Sequence, residues 1–214
     1  MPGTALILVD IQPDFMPGGA LAVGEGNRIV EPVRRLMESG RYALCIATQD
    51  WHPAGHVSFA SSHAGKSPLD VIELYGHDQV LWPDHCVQGT PGAELARGLP
   101  WELVSVVIRK GNDRRVDSYS GFRNNWDPNG QRPATGLGGY LRERGVKEVH
   151  VCGLARDYCV KWTAEDAAHE GFRVSVLWDL TRPVDPSSDD AVRHDLEAAG
   201  VKILTSEQVR ARAG

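Results

Sequence analysis

Six short apolar runs separated by amphipathic stretches constrain this chain more than any other feature. The runs are ALILVD at 5–10, YALCIAT at 42–48, LVSVVIRK at 103–110, EVHVCG at 148–153, RVSVLWD at 173–179 and VKILT at 201–205. Near-continuous Val, Ile and Leu is the pattern of parallel strands buried on both faces. Between the runs, apolar residues recur at helical spacing over 27–39, 134–144, 157–170 and 187–199. Each of these stretches is followed by a glycine, Gly40, Gly145, Gly171 and Gly200, where helices commonly end in a left-handed residue. Strand and helix therefore alternate, which predicts an α/β fold: an open sheet with helices on both faces. With 214 residues, one domain spanning 1–214 is expected, because a chain of this size buries roughly 70% of its unfolded surface.

The alternation breaks twice. Residues 49–102 have one short helical piece, near 91–97, and carry Trp51, Trp82 and Trp101 with His52, His56, His63, His77 and His85. Residues 111–133 are rich in Asn, Asp, Arg and Gly. Long connections of this kind in a compact domain are usually functional loops. The charge balance, 23 basic against 28 acidic residues for a net charge of −5, gives no footprint for nucleic acid and favours a small-molecule partner. The N-terminus has no basic segment leading into a long apolar stretch, and no window approaches the ~20 apolar residues of a membrane span. Four cysteines without a C-x-x-C pair form neither a disulfide framework nor a zinc knot, so reduced thiols and a cytoplasmic setting are expected.

Asp10 ends the first run, Lys110 ends the third, and Cys159 follows the fourth after a Gly153-Leu154-Ala155 bend. Asp157 is placed to cap the helix that Cys159 begins, and a cysteine in a first helical turn is biased toward thiolate. Cys45 and Cys152 lie inside apolar runs and read as core; Cys86 lies in a loop. Singly, each of the three strand-end residues has an innocent reading as a cap, a solvated charge or a packing residue. Together, because ligand crevices in open α/β sheets lie beyond the carboxyl ends of the strands, they form a nucleophile with its base and an orienting charge. A second set, Thr48-Gln49-Asp50-Trp51-His52-Pro53 with Trp82-Pro83-Asp84-His85, places Asp50 and His52 on one side of an extended segment. With His85 they would make an Asp-His-His metal site with open positions. His56 is a candidate fourth ligand. His63, His77, His150, His169 and His194 have no partner at ligand spacing.

The segments VDIQPDF at 9–15, GGALAV at 18–23, TQDWHP at 48–53, WPDHCVQGTPGAEL at 82–95, RKG at 109–111, DSYSGF at 117–122 and GLARDYCV at 153–160 resemble the nicotinamidase branch of the isochorismatase-like cysteine hydrolases, nearly end to end. The resemblance implies a six-stranded parallel sheet in the order 3-2-1-4-5-6 and hydrolysis of nicotinamide to nicotinate and ammonia through a thioester, a step of NAD salvage, with pyrazinamide as a further substrate. It implies Asp10 as general base and acid, Lys110 as its charge partner and Cys159 as nucleophile. A cis peptide between Leu154 and Ala155 would turn the N–H groups of Ala155 and Cys159 into an oxyanion hole. Asp50, His52 and His85 would hold one divalent metal ion, zinc, iron or manganese in relatives, and Phe15, Trp82 and Tyr119 would enclose the substrate ring. Arg156 departs from the small Thr or Ser usual in this motif, which puts hydrogen bonding behind the nucleophile in question. A metal-free relative acting on another small amide, carbamoyl compound or isochorismate is opposed by the Asp50, His52 and His85 set. A non-catalytic binder is opposed by the thiol beside a base. The sequence leaves assembly into a homo-oligomer open.

Overall fold

The computed structural model describes residues 3–211. Its strands are β1 (Thr4–Val9), β2 (Leu44–Asp50), β3 (Val71–Leu74), β4 (His77–Val80), β5 (Val104–Lys110), β6 (Glu148–Leu154), β7 (Arg173–Arg182) and β8 (Lys202–Leu204). Its α-helices are α1 (Val30–Glu38), α2 (Leu137–Glu143), α3 (Lys161–His169), α4 (Asp189–Ala198) and α5 (Ser206–Ala211). Six strands form one sheet in the order β5-β2-β1-β6-β7-β8, and every neighbouring pair is parallel. Chain numbering departs from 3-2-1-4-5-6 because β3 and β4 pair separately as an antiparallel hairpin. With that hairpin set aside, the six sheet strands run 3-2-1-4-5-6.

The central strand explains why the apolar runs lack polar alternation. All six residues of β1 are buried; Leu6 and Leu8 enter one core, and Ala5, Ile7 and Val9 enter the other. Successive side chains of a strand point to opposite faces, so a strand covered on both sides must be apolar throughout. Val33, Leu36 and Met37 of α1 and Val209 of α5 close the first face. Leu137 and Leu141 of α2, Ala164 and Ala167 of α3, and Val192 and Leu196 of α4 close the second.

The helices are shorter than their periodic stretches for local reasons. The stretch from 27 opens with a 3-10 turn at Gly26–Ile29 before α1, and that from 187 opens with one at Pro186–Ser188 before α4. The stretch from 134 begins its helix only after Gly136, in the left-handed region at φ 97°; Thr135 is held outside by its hydroxyl, which donates to the Gly121 carbonyl at 2.6 Å. The stretch from 157 begins as a π-helical turn, Arg156–Val160, that runs into α3. Asp157 does not cap that turn. Its carboxylate instead accepts from the backbone N–H groups of Val184 and Asp185, both at 2.9 Å, which ties the turn to the segment leaving β7. Residues 49–102 contain more than the one piece expected: the β3–β4 hairpin, and 3-10 turns at Ala60–Ser62, Pro91–Ala93 and Trp101–Leu103.

Candidate active site

Strand order brings the chemistry together. The chain leaves β1 for α1 on one face and β6 for α3 on the other, so a crevice opens where connections diverge at the carboxyl ends. Asp10 follows β1, Asp50 and Lys110 are the last residues of β2 and β5, and Cys159 lies in the turn after β6. Gly153, at φ 120°, lets β6 approach β1 closely, since any side chain there would strike the Val9 carbonyl. The next peptide, Leu154–Ala155, is cis.

Lys110, with no exposed surface, is the hub. Its Nζ lies 2.9 Å from Asp10 Oδ2 and donates to Asp50 Oδ1 at 2.5 Å, to the Ser118 carbonyl at 2.9 Å and to Cys159 Sγ at 3.4 Å. Burial works against the ammonium, but Asp10 and Asp50 outweigh it and hold Lys110 well above its ordinary range. Burial also acts against the Asp50 carboxylate, yet Lys110 and His52 hold that group well below its ordinary value. Asp10 moves the other way: its burial outweighs the pull of Lys110 and raises it. Burial likewise pushes the Cys159 thiol well up against the pull of Lys110, with Asp10 and Asp50 adding to the rise. The thiolate bias expected from a helix-start position is therefore overridden by desolvation. At rest Cys159 is a thiol beside a carboxylate able to take its proton.

Asp50, His52 and His85 converge. His52 Nε2 and His85 Nε2 lie 3.5 and 3.8 Å from Asp50 Oδ2, and the three ligand atoms fall within 4.8 Å of one another. Each imidazole is oriented from behind: His52 Nδ1 bonds the Gly111 carbonyl at 2.9 Å, and His85 Nδ1 bonds the Pro83 carbonyl at 2.8 Å. Donation from Nδ1 leaves each Nε2 lone pair directed at the common centre, as in metal sites. Gly111, at φ 63°, is required because a side chain there would run into the His52 ring. One carboxylate and two imidazoles suit a first-row divalent ion with open positions. His56 stacks on His52 with ring centroids 4.3 Å apart, but its Nδ1 bonds Ser58 Oγ at 2.8 Å and its Nε2 the Val116 carbonyl at 3.2 Å. Both nitrogens are engaged, and burial together with His52 brings the ring down to about 4. His56 is absent from the Asp50 group, but with His52 and Asp117 it forms a neighbouring group whose ligand atoms also lie within 4.8 Å of one another. Of the histidines without ligand spacing, His63 bonds the Val57 carbonyl at 2.7 Å and His77 stacks on Trp126.

A small cavity joins the two sets, lined by Asp50, His52, His85, Ala155 and Cys159 together with Phe15, Trp82 and Tyr119. Trp82 Nε1 donates to the Tyr119 hydroxyl at 3.2 Å, which fixes both rings. Several residues of this site escaped sequence reasoning. Tyr158 packs edge-on to Trp82 at 4.7 Å, and Leu21 and Val184 complete the apolar wall. Phe59 packs against His52, His56 and His85. Buried Gln12 clamps the backbone of Asp50, donating to its carbonyl at 2.9 Å and accepting from its N–H at 2.8 Å; its place inside the VDIQPDF segment was the one available signal. Gln79, from the unexpected hairpin, donates to Asp117 Oδ2 at 2.7 Å at the cavity edge.

Arg156 faces away from the chemistry. Its guanidinium bonds Thr181 Oγ1 at 2.8 Å and both oxygens of Asp189 at 2.7 and 2.6 Å, and it stacks 4.0 Å over Trp178. The departure at this position therefore changes how the turn docks onto β7 and α4, and leaves the polar contacts of Cys159 untouched.

A family model described as the isochorismatase domain matches residues 4–208. A nicotinamidase of Escherichia coli is 44% identical over 209 residues, covering 96% of this chain and 96% of that one. The solved structure of an Acinetobacter baumanii nicotinamidase and pyrazinamidase is 40% identical with a TM-score of 0.91, covering 98% and 99% of the two chains. A pyrazinamidase of Pyrococcus horikoshii, solved in complex with zinc, is 39% identical with a TM-score of 0.76, covering 95% and 99%.

Proposed function

The chain belongs to the isochorismatase family, and on that premise we propose that it is a nicotinamidase, an amidohydrolase converting nicotinamide to nicotinate and ammonia through a thioester on Cys159, with pyrazinamide as a second substrate. The observation that carries this reading is the Lys110 ammonium, which touches Asp10, Asp50 and Cys159 at once. It joins a nucleophile and base to a metal-ligating set inside one buried cluster, a combination that a simple binder does not need.

Asp10 takes the proton from Cys159 as the sulfur attacks the carboxamide carbon, and Lys110, 3.4 Å from the sulfur, compensates the charge that forms. The oxyanion falls to the N–H groups of Ala155 and Cys159, where each preorganised donor contributes on the order of 3 kcal/mol. Asp10 then gives its proton to the departing amine nitrogen, which leaves as ammonia. A water, deprotonated by Asp10, attacks the thioester, and the proton returns to the sulfur as nicotinate is released. Phe15, Trp82 and Tyr119 hold the ring flat between Cys159 and the His85 side of the cavity. Asp50, His52 and His85 would hold a divalent ion, zinc by the donor set and by analogy with the zinc-bound relative, which when present would offer an open position to the pyridine nitrogen. All four cysteines are free, which supports a reducing, cytoplasmic setting. Among the described residues no helix is long and apolar enough to cross a membrane.

Metal analysis of the purified protein alongside ammonia release from nicotinamide tests the proposal. One equivalent of divalent metal and release that depends on nicotinamide are expected; a metal-loaded protein inert toward nicotinamide would overturn it.

A further inference from the structure

Asp10 can act as a base only through an oxygen that is free to take a proton, and the structure distinguishes its two oxygens. Both Asp10 and Thr48 are without exposed surface. Asp10 follows β1 in the left-handed region, at φ 47°, and its backbone N–H donates to Thr48 Oγ1 at 3.2 Å. That hydroxyl in turn donates to Asp10 Oδ1 at 2.6 Å. The second oxygen, Oδ2, is not taken by any hydroxyl or backbone N–H among the described residues; it is ion-paired with Lys110 at 2.9 Å, and the Cys159 thiol is the other neighbour of the carboxylate. Asp10 and Cys159 belong to one buried group whose ligand atoms lie within 4.8 Å of each other. A hydroxyl has one proton to give, and Thr48 is held in orientation by the N–H it accepts, so that proton is committed to Oδ1.

We propose that Thr48 is a positioning residue of the hydrolytic site: its hydroxyl occupies Asp10 Oδ1 and pins the carboxylate so that Oδ2 faces the Cys159 thiol. This rests on the nucleophile and base roles proposed above. The other end of the Thr48 side chain has a separate task. Its methyl group packs on Gly121, where an added Cβ would come within 2.7 Å of Thr48 Cγ2. Hydroxyl and methyl can therefore be removed one at a time, and the two roles predict opposite results.

Thr48→Val keeps the shape and the methyl group but loses the hydroxyl; Thr48→Ser keeps the hydroxyl and loses the methyl group. With metal-loaded enzyme at one pH, kcat and KM for nicotinamide, the rate of Cys159 alkylation by iodoacetamide followed by peptide mass, and Tm would be measured. Thr48→Val is expected to lower kcat about 10- to 100-fold, as a misplaced catalytic group does, with KM changed less than about threefold. Its alkylation should slow in parallel, and Tm should fall as well, because the buried Asp10 N–H and Oδ1 lose their partner. Thr48→Ser is expected to keep kcat and alkylation within about threefold of wild type while Tm falls. Wild-type kcat and alkylation in Thr48→Val would overturn the proposal, as would losses in both variants that simply follow Tm. Should the wild-type protein release no ammonia from nicotinamide, the functional reading falls, whereas the alkylation rates need no substrate and still decide the role of Thr48.

Discussion

Burial pushes Cys159 up, so the sulfur favours its protonated form, and the proposed mechanism depends on Asp10 to take that proton. Cys159→Ala removes one sulfur from a buried wall without adding a charge or a clash. It should leave folding and nicotinamide binding close to wild type while ammonia release falls by on the order of 10⁴-fold or more, as loss of a nucleophile does. Calorimetric binding with a coupled ammonia assay checks this, and hydrolysis above trace level would exclude the covalent route. The Asp50 carboxylate has two tasks, one oxygen to Lys110 and the other toward His52 and His85. Asp50→Ala and His52→Ala should each lose bound metal and weaken nicotinamide binding, because a site with three protein ligands cannot easily spare one. Elemental analysis after gel filtration reads the outcome. A full equivalent of metal in both variants would move the site elsewhere, and His56→Ala should lose less, since both of its nitrogens are bonded to Ser58 and Val116.

At the scale of elements, the turn between β6 and α3 shows what a sequence does and does not reveal. The strand was legible because Val149, Val151 and Cys152 are all buried, and the thiol was legible because it follows a strand end. The π-helical start was not, since its apolar spacing matches that of the α-helix it enters. Nor was the direction of Arg156, which is decided by Thr181 and Asp189, 25 and 33 residues away. The β3–β4 hairpin was hidden for another reason: β3 alternates between exposed and half-exposed positions and β4 buries only the polar Gln79, and its turn uses Tyr75-Gly76 at φ 54° and 82° rather than the usual Asn-Gly. Thr48, Gln12 and Phe59 act through tertiary contacts that no local pattern marks. The direction of Arg156 yields a prediction. Arg156→Thr removes the guanidinium between Trp178 and Asp189 and leaves a carboxylate that is about one-third exposed, 34%, and can rehydrate. The cost should be about 1–3 kcal/mol, below that of breaking a fully buried pair, or roughly 3–10 °C in Tm for a chain of this size. Because the guanidinium makes no contact with Cys159, kcat should stay within about twofold of wild type; a large fall in kcat at unchanged Tm would place Arg156 in the site after all.

Across the whole molecule, the proposed function makes substrate choice depend on two half-sites whose residues are interleaved along the sequence and meet only in the folded sheet. In the proposed function the amide end would be met by Asp10 and Lys110, at the ends of β1 and β5, and by Cys159 in the turn after β6. The ring end would be met by Phe15, Trp82 and Tyr119, which line the same cavity as His52 and His85. An apolar pocket alone separates analogues of equal shape poorly, whereas a site built for a polar contact rejects an analogue lacking it by far larger factors. Nicotinamide and pyrazinamide carry a ring nitrogen that a metal held by Asp50, His52 and His85 would engage. Benzamide has nearly the same shape and the same amide but no such nitrogen. With metal-loaded enzyme, kcat/KM for nicotinamide and pyrazinamide should therefore exceed that for benzamide by at least about 10³-fold. The inactive Cys159→Ala variant should bind the two heterocycles more tightly with metal than after chelation, and benzamide equally in both states. Binding titrations on that variant separate recognition from chemistry. Comparable kcat/KM for benzamide and nicotinamide, or heterocycle binding indifferent to chelation, would remove the ring-recognition role from Asp50, His52 and His85 and leave selectivity to the aromatic walls alone.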